Sequence, residues 1–212
     1  DNWIVRVDQQ GGFMWEKSFG YAGHDHAYNL IKTSDGGALF NGFLDVTASN
    51  GAGNTVSDRS SSLHGVGEFW CHKINAQGDV EWRNYYGGTS NDRSYDAVEL
   101  TSGNFVLVGT TESSDIWVVL IDSEGNLLWE RTLGGSEIDG ANAVIEDEDG
   151  SIVVLGNSFS SDGHRSYPKG SSDFWIVKLD VTGELLEEIS LGGSSFDLGR
   201  GLALGSDGVF WL

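Results

Sequence analysis

Four segments of this chain repeat one pattern, and a repeat of this kind constrains a fold more tightly than any local motif does. The first reads Asn2-Trp3-Ile4-Val5-Arg6-Val7-Asp8 and the second Phe69-Trp70-Cys71-His72-Lys73-Ile74-Asn75. The third reads Ile116-Trp117-Val118-Val119-Leu120-Ile121-Asp122 and the fourth Phe174-Trp175-Ile176-Val177-Lys178-Leu179-Asp180. A glycine stands three residues after each closing Asp or Asn: Gly11, Gly78, Gly125 and Gly183. A second apolar run follows each turn, at 13–19, 80–86, 127–133 and 185–191, and ends on glycine. Five places beyond the first of those glycines stands an aspartate: Asp25, Asp92, Asp139 or Asp197. A third run, a polar turn such as Ser34-Asp35-Gly36-Gly37, and a fourth run complete each unit; the fourth run stops at Gly42, Gly109 and Gly156 in the first three.

The runs are strand-length and rich in Val, Ile, Leu and aromatic residues, while Gly, Asn and Asp between them supply positive φ or side-chain hydrogen bonds for tight turns. The leading tryptophans are 67, 47 and 58 residues apart. The shortest spacing is that of a propeller blade, ~40–50 residues. The first strand is apolar on both faces, as in sheets stacked around an axis; a sandwich would leave one face of alternating polar residues. The expected fold is therefore an all-β β-propeller of four four-stranded antiparallel blades, part of a larger ring. The blades are read as 1–67 with a long loop 45–66, 68–115, 116–172 with a long loop 160–172, and 173–212, cut at the end of its fourth strand. Almost no helix is expected. The chain starts at Asp1 on a strand-like segment and reads as a mature or trimmed piece, its remaining blades lying elsewhere in the parent protein. Terminal blades with apolar faces should make the isolated chain poorly stable or self-associating.

The pattern Asp-Phe-Trp-Ile-Val-Lys-Leu-Asp, Gly, Leu-Leu-Trp-Glu, Leu-Gly-Gly, Asp, Ser-Asp-Gly-Gly resembles the propeller-like repeats of secreted and surface proteins of Bacteroidota, many of which carry a type IX secretion sorting tail. Residues 173–180, 125–135 and 31–37 carry the resemblance best, and four copies cover the chain. It implies a propeller and an extracellular, cell-surface or outer-membrane site, and no activity. The second strand also resembles the quinoprotein-type repeat, with Asp122, Gly125 and Trp129, in which the Trp docks on the neighbouring blade. The fourth unit departs from it, with Glu187 in the place of Trp15, Trp82 and Trp129.

The net charge of −20 opposes phosphate backbones and anionic lipid, so nucleic-acid partners and membrane insertion are not expected. The single cysteine, Cys71, excludes an intrachain disulfide and reads as a small buried hydrophobe. The recurring aspartates could present carboxylates to a cation, but one Asp per repeat at one register also suits a turn that accepts backbone N–H groups. Glu146-Asp147-Glu148-Asp149-Gly150 partly matches a calcium loop but lacks the distal Glu; calcium is the ion this stretch suggests, and no cofactor is expected. His24 and His26 share a strand-like spacing that suits a metal, without a recurring carboxylate beside them. His72, in the column of Val5, Val119 and Val177, reads as a satisfied core histidine.

No nucleophile elbow or phosphate loop is present, and no catalytic residue is assigned. The expected function is a non-catalytic binding or scaffold module that engages a protein partner or surface polysaccharide; the alternative is part of a propeller enzyme, quinoprotein-like or hydrolytic, with its site at the axial mouth. The binding residues expected are Arg59, His64, His164, Arg165, Tyr167 and Lys169, which would make the two long loops a basic, aromatic-bearing rim on an acidic body.

Overall fold

Each of the four Asp or Asn residues that close a first strand folds the chain back by the same bonds. The Oδ1 of Asp8 accepts the amides of Gln10 and Gly12, that of Asn75 those of Gln77 and Asp79, that of Asp122 those of Glu124 and Asn126, and that of Asp180 those of Thr182 and Glu184. The glycine inside each turn has φ between 78° and 82°, a conformation that costs other residues about 1–2 kcal/mol. These turns alone fix the hairpin that opens every repeat.

The structure, a computed structural model, describes residues 2–19, 25–44, 68–87, 91–111 and 113–212. The chain divides into two compact units, Asp1–Arg93 and Ser94–Leu212. The first unit holds β1 (Asn2–Val7), β2 (Phe13–Phe19), β3 (Asp25–Lys32), β4 (Ala38–Leu44), β5 (Glu68–Ile74) and β6 (Val80–Tyr86). In it β1 and β2 form a two-stranded sheet, and β3-β4-β5-β6 form a four-stranded one. β7 (Arg93–Glu99) starts at the division and leads into β8 (Phe105–Thr110), β9 (Ile116–Ile121) and β10 (Leu127–Leu133). The second unit continues with β11 (Asp139–Glu146), β12 (Ile152–Ser158), β13 (Asp173–Leu179), β14 (Leu185–Leu191), β15 (Ala203–Leu204) and β16 (Phe210–Trp211). Its sheets run β10-β9-β8-β7, β11-β12-β13-β14 and β15-β16. Among the described residues all regular structure is β, no residue is helical, and every pair of neighbouring strands with a determined register is antiparallel.

The sheets are out of phase with the sequence units by two strands. The runs 1-2-3-4 of one unit do not share a sheet; each complete sheet takes the third and fourth runs of one unit and the first two of the next. The reason is the connection. From the fourth run to the first the chain turns back and pairs, as Ala38–Leu44 does with Glu68–Ile74. From the second to the third it leaves the sheet through Gly-Gly. At Gly134 an added Cβ would lie 2.2 Å from Asp115 Oδ1 and 2.8 Å from Asp139 Oδ2, and Gly192 is held the same way between Asp173 and Asp197. The long connections 45–67 and 159–172 therefore join the two central strands of one sheet, where the sequence suggests the boundary between blades.

The glycine at which the fourth run stops in the sequence of the first three units lies inside the strand. Gly42, Gly109 and Gly156 face Trp70, Trp117 and Trp175 across the ladder, and the strands continue to Leu44, Thr110 and Ser158. On the other side the preceding strand bulges, between Ala27 and Asn29 and between Ala141 and Ala143. The bulge pushes a carbonyl at the glycine: a Cβ on Gly42 would lie 1.9 Å from the His26 oxygen. Gly42→Ala is expected to cost about 2–3 kcal/mol by overpacking. Gly201→Ala, with open space around it, should stay within about 0.5 kcal/mol of the parent, both read by chemical denaturation.

The two-faced burial expected of the first strand holds for three of the four copies. All six residues of β9 are buried. In the second unit Val154 and Val177 pack into a cluster with Val108, Ile116 and Val118, while Val153, Leu155 and Ile176 join Leu202 and Phe210 on the opposite face. β1 is the exception: Trp3, Val5 and Val7 are exposed although their counterparts in β5, β9 and β13 are buried. Among the described residues β1 has only β2 beside it in its sheet.

Second-strand tryptophans tie sheets together within each unit. Trp15 donates its indole N–H to Ala76 O at 3.1 Å and lies against Gly78; Trp129 donates to Val181 O at 3.0 Å and lies against Gly183. Two residues on, Lys17 reaches Asp79 and Arg131 reaches the Gly183 carbonyl. The glycine turn serves both folding and docking, because only a residue without Cβ admits the ring.

Candidate functional site

The connection between β12 and β13 is built from its buried end outward. Arg165 is a side chain only 1% exposed. Its Nη1 donates to the carbonyls of Ser158 and Ser160 at 3.0 and 2.6 Å, its Nε to Ser190 Oγ at 3.1 Å, and its Nη2 to Asp173, which is fully buried. Asp173 Oδ2 also accepts the amides of Lys169 and Gly170 at 2.7 and 3.3 Å. His164 closes the other flank, its amide and Gly134 O lying 3.1 Å apart, and the Ser166 amide donates to Glu188. A strand-end ion pair thus anchors a connection of fourteen residues, 159–172, that contains no helix and no strand beyond a single bridge at Ser172.

This corrects one expected site residue. Arg165 does not belong to a solvent-facing rim: it satisfies carbonyls at the end of the sheet, and no partner can reach it. His164, Tyr167 and Lys169 are exposed, Tyr167 by 77%. Asp162 and Glu188 stand among them, so the connection is less basic than its composition suggests. Arg59 and His64, with the rest of 45–67, lie outside the described residues.

The acidic positions are occupied by the fold. Gly135 N–H donates to Asp139 Oδ2 at 2.9 Å and Gly193 N–H to Asp197 Oδ2 at 2.7 Å, the turn role that one Asp per repeat suggests. Lys178 Nζ lies 2.6 Å from Asp147 and 3.0 Å from Asp149, so an ammonium stands where the calcium-loop reading would put an ion. Glu146 accepts from the amide and hydroxyl of Thr101. Bonds from the Ser151 hydroxyl and amide, then from Lys178, hold the Asp149 carboxyl at about 2. The first unit repeats the device: burial opposes the charged form of Asp35, but bonds from Lys73, Thr33 and the Gly37 amide outweigh it and bring it to about 2. Among the described residues no group of three or more His, Cys, Asp or Glu side chains is placed to hold a metal. His26 stacks on Tyr28 at 6.0 Å, and His24 lies outside the described residues. Cys71 is buried, and burial pushes its thiol up.

No protein-family model matches the chain, and none of the curated proteins does. Among solved structures it is similar to a protein of unknown function from Bacteroides caccae, at a TM-score of 0.58 and 13% sequence identity. The alignment covers 99% of this chain and 60% of that one, so the chain spans about three fifths of the length of its structural neighbour. At that identity the likeness concerns the fold alone.

Two features have no signal in a linear reading. Asp173 and Ser190, which make Arg165 structural, are separated from it by 8 and 25 residues and look like ordinary repeat positions. The exposed face of β1 is the other. Grooves of about 340 and 350 Å³ flank it in the first unit, lined by Trp3, Val7, Tyr28 and Leu30 among others.

Proposed function

We propose that this chain is part of a β-propeller serving as a non-catalytic binding or scaffold module of a bacterial extracytoplasmic or cell-surface protein, akin to the propeller-like repeats of Bacteroidota. Support for the propeller comes from complete sheets covered on both faces and from tryptophans that dock the first hairpin on the second and the third on the fourth. The connection 159–172 is its recognition element, and the partner is a protein or a surface polysaccharide. One observation carries this: Tyr167 is 77% exposed two residues from a buried arginine that makes four hydrogen bonds. An aromatic side chain held out on a fixed base loses little entropy on binding, and Tyr is enriched at interface hot spots. The charge of −20 supports a partner that is neither nucleic acid nor an anionic membrane.

The test substitutes Tyr167→Ala and Lys169→Ala together. Stability should stay within about 0.5 kcal/mol, since neither side chain is buried. Binding to purified surface polysaccharide or outer-membrane protein from the native cell, read by biolayer interferometry, should fall at least about tenfold. Undiminished binding by a folded double variant refutes the assignment.

A further inference from the structure

The negative charge of this chain is concentrated in one unit. Ser94–Leu212 holds 21 of the 32 carboxylates and five of the 12 Lys and Arg, a net of −16, which leaves −4 for Asp1–Arg93. Three of those five cations are held by the fold: Arg165 is buried against Asp173, Lys178 stands between Asp147 and Asp149, and Arg131 lies on the carbonyls of Thr182 and Gly183. The same unit exposes two leucine pairs, Leu127-Leu128 and Leu185-Leu186. We propose that these pairs, with the carboxylates around them, form a docking surface for a Lys- or Arg-rich protein segment that carries apolar anchors.

The repeat itself puts these leucines outside. Its second run is the edge strand of every complete sheet, as β6, β10 or β14. The second residue of that run sits at a bulge. Leu127 faces Ile121 and Trp129 faces Leu120, so Leu128 is the extra residue; Leu185 faces Leu179 and Glu187 faces Lys178, so Leu186 is. A bulge re-aims the extra side chain. Leu128 is 50% exposed and Leu186 57%, and Met14, at the same position of the first copy, is exposed too. β10 lies in the interior of the chain, so this exposure belongs to the run. The bond from Trp129 to Val181 O sets the two leucine pairs on neighbouring hairpins. In sequence Glu124 and Glu130 bracket the first pair and Glu184 and Glu187 the second, and Arg131 reaches Glu184 only at 3.5 Å. Strand edges are ordinarily shielded by lysine or proline, and neither β10 nor β14 contains one. Apolar side chains amid an excess of negative charge suit neither an anionic membrane nor a nucleic acid. A basic protein segment satisfies both halves of the surface, with apolar contact for affinity and opposite charge for approach. Tyr167 is no part of this surface, and binding there is neither required nor excluded.

The test is fluorescence anisotropy of three short labelled peptides: alternating Lys and Leu, alternating Lys and Ser, and alternating Glu and Leu. About 0.15 M salt screens distant charges. The Lys-Leu peptide should bind the 212-residue chain at least about tenfold more tightly than the Lys-Ser peptide, which reads charge alone. The Glu-Leu peptide should not bind. Leu128→Ser with Leu186→Ser should abolish the preference for the Lys-Leu peptide while the circular dichroism spectrum stays that of the parent. Glu124→Gln with Glu187→Gln, both at exposed side chains, should weaken the Lys-Leu peptide about two- to fivefold, which keeps the proposal testable if the leucine variant does not fold. Tyr167→Ala should change none of the three. Equal binding of the two lysine peptides overturns the proposal, because the attraction is then diffuse charge. A Glu-Leu peptide bound as tightly as the Lys-Leu one overturns it too, as does undiminished binding by a folded leucine variant. Loss of the Lys-Leu peptide in Tyr167→Ala would move the site to the connection 159–172 and overturn it likewise. So would light scattering in which mass rises with concentration for the parent but not for the leucine variant, since the occupant is then a second copy of this chain.

Discussion

Asp173→Asn is expected to lower the stability of the second unit by about 3–5 kcal/mol, the cost of leaving one member of a buried ion pair without its partner. The substitution keeps shape and volume, so packing does not confound it. What changes is the charge opposite Arg165, whose side chain is 1% exposed and has no route to water. Arg165→Met should cost less, about 2–3 kcal/mol, because the carboxylate it abandons still accepts the amides of Lys169 and Gly170 and can be neutralised by a proton. The remaining cost is the carbonyls of Ser158 and Ser160, which lose their donor. The double variant should therefore cost clearly less than the sum, with a coupling of about 2 kcal/mol from a denaturation cycle. A cost below about 1 kcal/mol for Asp173→Asn would mean that the guanidinium finds water, and that the connection is not anchored as described. The same variants should weaken binding through Tyr167 without touching it, since they release the base on which it stands.

The parts of this fold that could be read from sequence are those set by a few neighbouring residues. An Asp or Asn followed three places on by Gly makes its own turn, whatever surrounds it, and all four such turns form as expected. Runs apolar on both faces made an all-β, multi-sheet architecture legible for the same reason. Sheet phase was not legible. Strands joined by a long connection look like neighbours in different blades, and strands joined by Gly-Gly look like a hairpin. The pairing is the reverse, because Gly-Gly passes between Asp115 and Asp139, and between Asp173 and Asp197, at separations no Cβ allows.

Site residues were legible only where exposure follows from local composition. Tyr167, beside the single proline in a Ser- and Gly-rich stretch, carries a surface signal and is exposed. Arg165, two residues away, carries the same surface signal, and its burial depends on Asp173 and Ser190 in two other strands. Trp3 fails in the opposite direction. Its repeat column is buried wherever a fourth run covers it, and that neighbour is not a property of the residue.

His72 tests how far a repeat column predicts environment. It lies where the other copies have valine, is 4% exposed, and packs edge-on against Trp70, Phe40 and Phe19 at ring distances of 4.7, 5.0 and 5.9 Å. The expectation of a satisfied core histidine holds for the core but not for the satisfaction: among the described residues neither ring nitrogen has a hydrogen-bond partner. Burial, with the charge of Arg83 adding to it, pulls its pKa from the ordinary 6.5 down to about 3. An unfolded chain gains a proton at this residue as pH falls below 6.5, whereas the folded chain does not until about 3. Stability supplied by the neutral ring is thus complete above pH 6.5 and is lost on the way down to 3, at about 1.4 kcal/mol per pH unit and on the order of 5 kcal/mol in all. Asp35 and Asp149, held at about 2, lose their contribution only below their ordinary 3.8, so the window from 6.5 to 4 isolates the histidine. His72→Val should leave stability at pH 8 within about 1 kcal/mol of the parent, since removal of two unpaired nitrogens offsets the smaller volume. At pH 4.5 it should exceed the parent by about 2–3 kcal/mol, and the slope between pH 6.5 and 4 should largely vanish. Urea denaturation at a series of pH values decides the matter. A variant with the parent's slope would show that a group other than His72 takes up the proton, and that its imidazole is charged or hydrated in the folded chain.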